Sequence, residues 1–254
     1  MFDNEDIDIN YCLCWVPEDW TRSWVGDKTQ VLLENKYLKE DPETFIESLK
    51  KYLQDPRYIK IDGKPLIVVY KTYLIPDIKN IIKKWRTHAK KLGIGDIEVI
   101  NTVQPFTSNT LSLEKIFDGD VDFFIFNYAS KKLQLVYYGD ISILNYMYIY
   151  NNCVDTYINN HKCHSNKNFY LSSFCDFDNT ARYGKNAILN TGFSLLDWYR
   201  LNKFVVKKTV EVGNEYMFVF AWNEWSESAY LKPDKKYGYA MINTFSKAIY
   251  GLPF

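Results

Sequence analysis

The chain is poor in glycine, with 11 in 254 residues, and those it has spell neither G-x-G-x-x-G nor G-x-x-x-x-G-K-[ST]. The turns that cradle dinucleotides and nucleoside triphosphates are therefore missing. Net charge is missing too: 31 basic residues balance 31 acidic ones, whereas a nucleic-acid face would pull the balance positive. No nucleic-acid partner is expected. The longest apolar runs, such as Pro65-Leu66-Ile67-Val68-Val69-Tyr70, fall far short of the roughly 20 residues that span a bilayer, so no integral membrane segment is expected. There is no internal repeat, no low-complexity tract and no linker rich in Pro, Gly or Ser. Cysteine is sparse, odd in number and scattered at Cys12, Cys14, Cys153, Cys163 and Cys175. That pattern argues against a secreted disulfide scaffold and for reduced, buried thiols in a cytoplasmic protein. Cys153, His161, Cys163 and His164 fit no metal-site spacing, because adjacent Cys163 and His164 project in different directions. The opening Met1-Phe2-Asp3-Asn4-Glu5-Asp6 is acidic and polar, unlike a secretory leader.

Aromatic residues are what the chain has in quantity. With 21 Tyr, 16 Phe and 7 Trp, it is far too rich in them to stay unfolded. Length allows one large domain or two small ones; the expectation is a single domain over residues 1–254. Short apolar runs alternate with longer amphipathic segments. The runs at Ile9–Val16, Pro65–Tyr70, Ile97–Val103, Asp122–Tyr128, Asn168–Phe174 and Tyr216–Trp222 read as buried parallel strands. Helices are expected at Pro42–Leu53, after an Asp41 N-cap, and at Asp77–Leu92, which ends at Gly93. Three more are expected at Ser142–Asn160, Phe193–Val212 and Tyr239–Tyr250. This alternation leaves a doubly wound sheet or a (β/α)8 barrel of the TIM type. The barrel fits better, because polar and aromatic residues cluster just after the strands. Six strands are two fewer than a barrel needs.

The sharpest segment is Phe218-Val219-Phe220-Ala221-Trp222-Asn223-Glu224-Trp225-Ser226-Glu227-Ser228. An apolar strand runs into a polar turn with two carboxylates three residues apart, the equipment of glycosyl chemistry. Trp222 and Trp225 offer flat apolar faces to sugar C–H surfaces, and Asn223 a polar group beside them. A solvated turn with surface glutamates and core tryptophans is the competing reading. A second segment, Cys14-Trp15-Val16-Pro17-Glu18-Asp19-Trp20-Thr21-Arg22-Ser23-Trp24, also follows a strand. Together the two hold five of the seven tryptophans, which points to a shared aromatic cleft. The third is Phe177-Asp178-Asn179-Thr180-Ala181-Arg182, where Asp178 and Arg182 either pair with each other or fix sugar hydroxyls. Asp176-Phe177-Asp178 spells a D-x-D, by which many sugar-nucleotide transferases hold a divalent metal. Asp6-Ile7-Asp8 and Asp120-Val121-Asp122 spell it as well, so the pattern has little weight and no metal is expected.

These blocks together resemble the WbsX-like group of carbohydrate-active proteins, which is related to the endo-α-mannosidases of glycoside hydrolase family 99. Trp15 to Trp24 match a W-A-N-E-N-W-T-R-x-W block, and Leu32 to Tyr37 match L-L-E-Q-x-Y. Arg57 to Leu66 match R-Y-x-x-x-D-G-K-P-L, Phe177 to Arg182 match W/F-D-N-T-A-R, and Ala221 to Glu227 match A-W-N-E-W-x-E. The resemblance runs from about Ile9 to Pro233. It implies a (β/α)8 barrel with Glu224 and Glu227 as the catalytic pair. One takes a proton from the sugar 2-hydroxyl, which attacks C1 to give an anhydro-sugar, and the other serves the leaving oxygen. Trp15, Glu18, Asp19, Trp20, Arg22, Trp24, Asp178, Arg182, Trp222, Asn223 and Trp225 would bind substrate around them.

The chain departs from the family in three places. The A-N-E-N of the first block is Val16-Pro17-Glu18-Asp19, which removes two amides, and a glutamate of the E-G-x-x-L-E-P ending is Lys232. Family members also carry the first barrel strands ahead of the tryptophan block, which here opens almost at Met1. The resemblance therefore implies a barrel without its first one or two strand–helix units: a fragment, a decayed protein, or one completed by a partner chain. The leading reading is a glycosyltransferase of cell-surface polysaccharide synthesis (lipopolysaccharide O-antigen or capsule). It would be cytoplasmic, at most peripheral to the inner membrane, and would act on an oligosaccharide or sugar-donor substrate without a cofactor. The alternatives are a retaining endo-α-mannosidase-like hydrolase and an inactive sugar-binding remnant.

Overall fold

The computed structural model describes residues 4, 6–22, 29–38, 40–103, 116–122, 146–184 and 187–254. They form an α/β fold whose strand pairs are mostly parallel, in two compact units. The first unit takes in residues 1–20, 31–103 and 107–120, and the second takes in residues 21–30, 104–106 and 121–254.

In the first unit the strand Lys64–Val69 lies between Leu13–Trp15 and Glu98–Val103, parallel to both. The registers pair Leu13 with Ile67 and Leu66 with Glu98. Leu66, Ile67, Val68 and Val69 are all buried, so this strand has no polar face and reads as an unbroken apolar run, while Glu98–Val103 buries Val99 and Ile100 beside the polar Glu98, Asn101 and Thr102. Lys64–Val69 also turns back on Lys60–Ile61 as a hairpin through Asp62 and Gly63, at φ +48° and +78°. Asp-Gly is the pair that tolerates two positive φ angles, which gives the D-G-K-P-L block its local reason. Arg57, upstream in the same block, pairs with Asp55 at 2.8 Å and donates to the carbonyls of Asn4 and Ile7.

Helix Asp41–Leu53 starts one residue earlier than expected. Its N-cap is Glu40 rather than Asp41, and Asp41 instead accepts the Leu38 N–H. Helix Ile78–Lys91 ends as the sequence predicts: Gly93 takes φ +76°, and Ile94 N–H reaches back to the Ala89 carbonyl. The two helices cover the sheet through an aromatic cluster in which Phe45 stacks on Trp85 at 4.7 Å and Trp15 meets both rings, at 5.1 and 5.4 Å.

In the second unit Ser172–Phe174 runs parallel to Phe218–Phe220, and Tyr146–Ile149 runs parallel to Ile188–Thr191. The last pair corrects the sequence reading twice. Tyr146–Ile149 falls inside the predicted helix Ser142–Asn160, which begins only at Tyr150, and Ile188–Thr191 has no predicted strand at all. Residues 142–145, and residues 123–128 of the predicted strand Asp122–Tyr128, lie outside the described residues.

Helix Leu195–Glu211 is capped by Ser194, whose Oγ accepts the Asp197 N–H at 3.1 Å. Its buried face carries Trp198, Leu201 and Val205 into a core shared with Tyr150, Tyr157, Phe174 and Met241. Asn202 is buried there with both its side-chain nitrogen and its oxygen bonded. Its amide donates to the Trp198 carbonyl at 2.7 Å, and its oxygen takes the Ser173 hydroxyl at 2.8 Å. The five cysteines are all unpaired, but only Cys153 and Cys175 are buried; Cys14 and Cys163 are exposed, against the expectation of buried thiols. Among the described residues no helix is long and apolar enough to cross a membrane.

Candidate active site

The carboxylate turn of the second unit grows out of the strand Phe218–Phe220. Asn223–Glu224 pairs antiparallel with Ala229–Tyr230, and the chain between them closes in a short 3-10 turn, Trp225–Glu227, followed by Ser228 at φ +53°. This tight reversal puts Glu224 and Glu227 on one small loop. Glu224 accepts a short hydrogen bond from the Ser226 hydroxyl. Glu227 Oε1 receives Arg182 Nη1 at 3.0 Å, and the two side chains are 19% and 20% exposed. Arg182 Nη1 also donates to Ser226 Oγ at 3.3 Å.

Burial is the main cause that lifts the Glu227 carboxyl above the usual carboxylate range; the Glu224 charge adds to it and Arg182 opposes it. A carboxyl with a raised pKa one short turn from a second carboxyl is an arrangement that suits acid–base division of labour.

Asp178 and Arg182 do not pair. Asp178 Oδ1 caps the Thr180 N–H at 2.8 Å, while its own N–H donates to the Glu227 carbonyl at 2.8 Å. The D-N-T-A-R block therefore braces the carboxylate turn through backbone at one end and through a guanidinium at the other. Asn223 is exposed, and the indoles of Trp222 and Trp225 are 55% and 47% exposed. Trp225 lies flat on Tyr230, with ring centroids 4.1 Å apart. The two tryptophans outside the sequence blocks, Trp85 and Trp198, are the fully buried ones among the described residues.

Elsewhere in the second unit, Arg22 is exposed and donates to Gln30 at 3.2 Å. Trp24 lies outside the described residues. In the first unit Trp15 is a half-buried member of the aromatic cluster, whereas Trp20 is 70% exposed. Asp19 Oδ1 accepts the Asn35 N–H at 2.7 Å, tying the tryptophan block to the leucine block. Glu18 meets a partner that sequence reasoning passed over: Lys71, whose Nζ is 2.5 Å from Glu18 Oε1. Lys71 sits two residues past the strand Lys64–Val69, and a cation just beyond a parallel strand's C-terminal end was the available signal. In the sequence Asp176 stands out only as half of a D-x-D. Burial pushes its carboxyl up to about 6, against the Phe177 N–H that it accepts at 2.8 Å and against Lys236.

Comparison with known proteins agrees with the family resemblance. The uncharacterized protein WxcX of Xanthomonas campestris pv. campestris is 27% identical over 259 residues. That match covers 97% of this chain but 36% of the relative, so the chain spans little more than a third of its length. The glycoside hydrolase family 99 endo-α-mannosidase of Bacteroides thetaiotaomicron is 18% identical with a TM-score of 0.45, over 83% of this chain and 62% of that one. A protein described as glycoside hydrolase-like is 10% identical with a TM-score of 0.53, over 83% and 63% of the two chains, a likeness of fold alone. The model of the family described as glycosyltransferase WbsX matches residues 1–245, and the chain belongs to that family.

Proposed function

We propose that the protein is a glycosyltransferase of cell-surface polysaccharide assembly, with Glu224 and Glu227 as its acid–base pair in a single (β/α)8-type catalytic domain. The observation that carries this reading is Glu227: a half-buried carboxyl with a raised pKa, gripped by Arg182 and one short turn away from Glu224. In the proposed step Glu227 delivers its proton to the oxygen leaving C1. Glu224 takes the proton of the attacking hydroxyl, so that one C–O bond breaks as another forms. Trp222 and Trp225 supply the apolar platform, and Asn223, Asp178 and Arg182 the polar surroundings. Trp15, Glu18, Asp19, Trp20, Arg22 and Trp24 are assigned to substrate through the family blocks. The location that goes with this reading is the cytoplasm, where activated sugar donors are made.

The hydrolase reading is the alternative, because the same pair of carboxyls serves water as acceptor as well as a sugar hydroxyl. The test is to incubate the chain with a glycan acceptor and a set of nucleotide sugars, following products by mass spectrometry. Donor-dependent extension of the acceptor supports the transferase. Release of free sugar without a donor supports the hydrolase. Sugar binding that persists unchanged in a Glu224→Gln, Glu227→Gln double variant, with no turnover in either form, would leave a binding module.

A further inference from the structure

A cavity of about 820 Å³ lies within the first unit, beside the start of helices Asp41–Leu53 and Ile78–Lys91. That volume falls in the range of small-molecule sites. Its walls alternate flat apolar faces, Trp15, Trp20 and Tyr37, with hydrogen-bonding groups, Glu18, Asn35 and Asn80. Two of the polar groups are held in place. Asp19 fixes the Asn35 backbone, and Tyr37 donates its hydroxyl to the Pro17 carbonyl at 3.2 Å, pinning the loop that carries Glu18.

Glu18 is held more firmly still. Lys71 Nζ occupies Oε1 at 2.5 Å, and Oε2 has no hydrogen-bond partner among the described residues. Lys71 is itself set by its neighbours. Tyr70 N–H donates to the Trp15 carbonyl at 2.8 Å. Thr72 Oγ1 donates to Asn101 Oδ1 at 2.7 Å, and Asn101 Nδ2 to Asp120 Oδ1 at 2.8 Å. Between these anchors Lys71 takes φ +46°, a left-handed backbone uncommon outside glycine.

The ligand chemistry follows from what Glu18 still lacks. Its charge is already matched by Lys71, so a cation has little to gain there, and the carboxylate repels an anion. A neutral hydroxyl that donates to Oε2 is the fitting partner, because a charge-assisted bond of that kind is stronger than a neutral one. An exposed indole beside it suits the C–H face of a sugar ring.

We propose that this cavity is a subsite for a neutral pyranosyl residue, with Glu18 Oε2 accepting one of its hydroxyl protons and Lys71 as the positioning residue that fixes Glu18. The inference rests on the carbohydrate reading above, but not on the roles of Glu224 and Glu227.

The test is a saturation-transfer NMR titration of the methyl α-glycosides of mannose, glucose and galactose against the full chain carrying Glu227→Gln. At least one glycoside is expected to bind. Adding Glu18→Gln or Lys71→Met should weaken it about tenfold or more, and Lys71→Arg should restore most of the affinity. The melting temperature should stay unchanged for the isosteric Glu18→Gln on its half-exposed side chain. If a glycoside binds and neither Glu18→Gln nor Lys71→Met weakens it, the subsite is wrong and the carbohydrate reading stands. If none of the glycosides binds, the carbohydrate reading falls and takes the subsite with it.

Discussion

Arg182 reaches across 45 positions of sequence to Glu227, with Nη1 3.0 Å from Oε1, and leaves Asp178, four residues before it, to cap a backbone amide. The D-N-T-A-R and N-E-W-x-E blocks are thus two halves of one device. Arg182 lowers the Glu227 pKa against burial and the Glu224 charge, which raise it. Replacing Arg182 with Met removes the one opposing influence, so Glu227 holds its proton to higher pH. With Glu227 as the proton donor, activity falls as it ionises, and the descending basic limb of the kcat–pH profile should move to higher pH in Arg182→Met. Arg182→Lys keeps the charge and should leave the limb near its original position. A limb that stays put or moves to lower pH in the Met variant would take Glu227 out of the donor role.

Glu227→Gln should cost at least about 10²-fold in kcat while sugar affinity stays nearly intact, because the amide keeps the shape and loses the transferable proton. Steady-state rates with binding titrations check this, and undiminished turnover would remove Glu227 from the mechanism.

The tryptophans should divide by burial. Trp198 is fully buried, with its Nε1 on the Met241 carbonyl at 3.2 Å, so Trp198→Ala should cost about 3–5 kcal/mol of stability. Trp222→Ala, at an indole 55% exposed, should change stability by no more than about 0.5 kcal/mol and instead weaken sugar binding. Urea unfolding and ligand titration of the two variants separate the roles; a large stability loss in Trp222→Ala would make it a packing residue.

Asp176 offers a pH test of stability. Its carboxyl sits at about 6 in the folded chain against an ordinary 3.8, so the folded state binds the proton more tightly and loses stability as pH rises through that window. Asp176→Asn removes the charge and can still accept the Phe177 N–H. It should therefore be more stable than the parent by about 3 kcal/mol at pH 7.5 and no more stable at pH 3.5. Equal stabilities at both pH values would place the carboxyl in solvent.

Both D-x-D carboxylates already spend an oxygen on a nearby backbone amide, Asp176 on Phe177 and Asp178 on Thr180. Turnover should accordingly survive EDTA dialysis without added divalent ions. Strict dependence on Mg²⁺ or Mn²⁺ would restore the metal reading.

Much of this was legible in the sequence, for identifiable reasons. Lys64–Val69 is an interior strand whose apolar run from Pro65 is continuous, Glu98–Val103 is marked by its apolar centre at Val99 and Ile100, and Gly93 marks a helix end through a positive φ that few residues adopt. The Ser194 cap lies one residue inside the helix start expected at Phe193. Tyr146–Ile149 escaped because it runs without a break into helix Tyr150–His161, with no glycine or proline to mark the boundary. Ile188–Thr191 is short and carries a buried asparagine, Asn190. The paired glutamates were visible because they lie three residues apart on one turn. Lys71 was not, since its role comes from a left-handed backbone and from a partner 53 positions away. Arg182 was visible as a candidate, but its true partner was hidden for the same reason of sequence distance.

The division of the indoles has an optical consequence. Trp85 and Trp198, sealed from water, should emit at short wavelength and resist acrylamide, while Trp20, Trp222 and Trp225 should emit at long wavelength and be quenched readily. The intrinsic emission of the unlabelled protein then contains its own reporter. A ligand lying against the exposed indoles would shield the red component and leave the blue one unchanged, whereas unfolding would shift the blue component first.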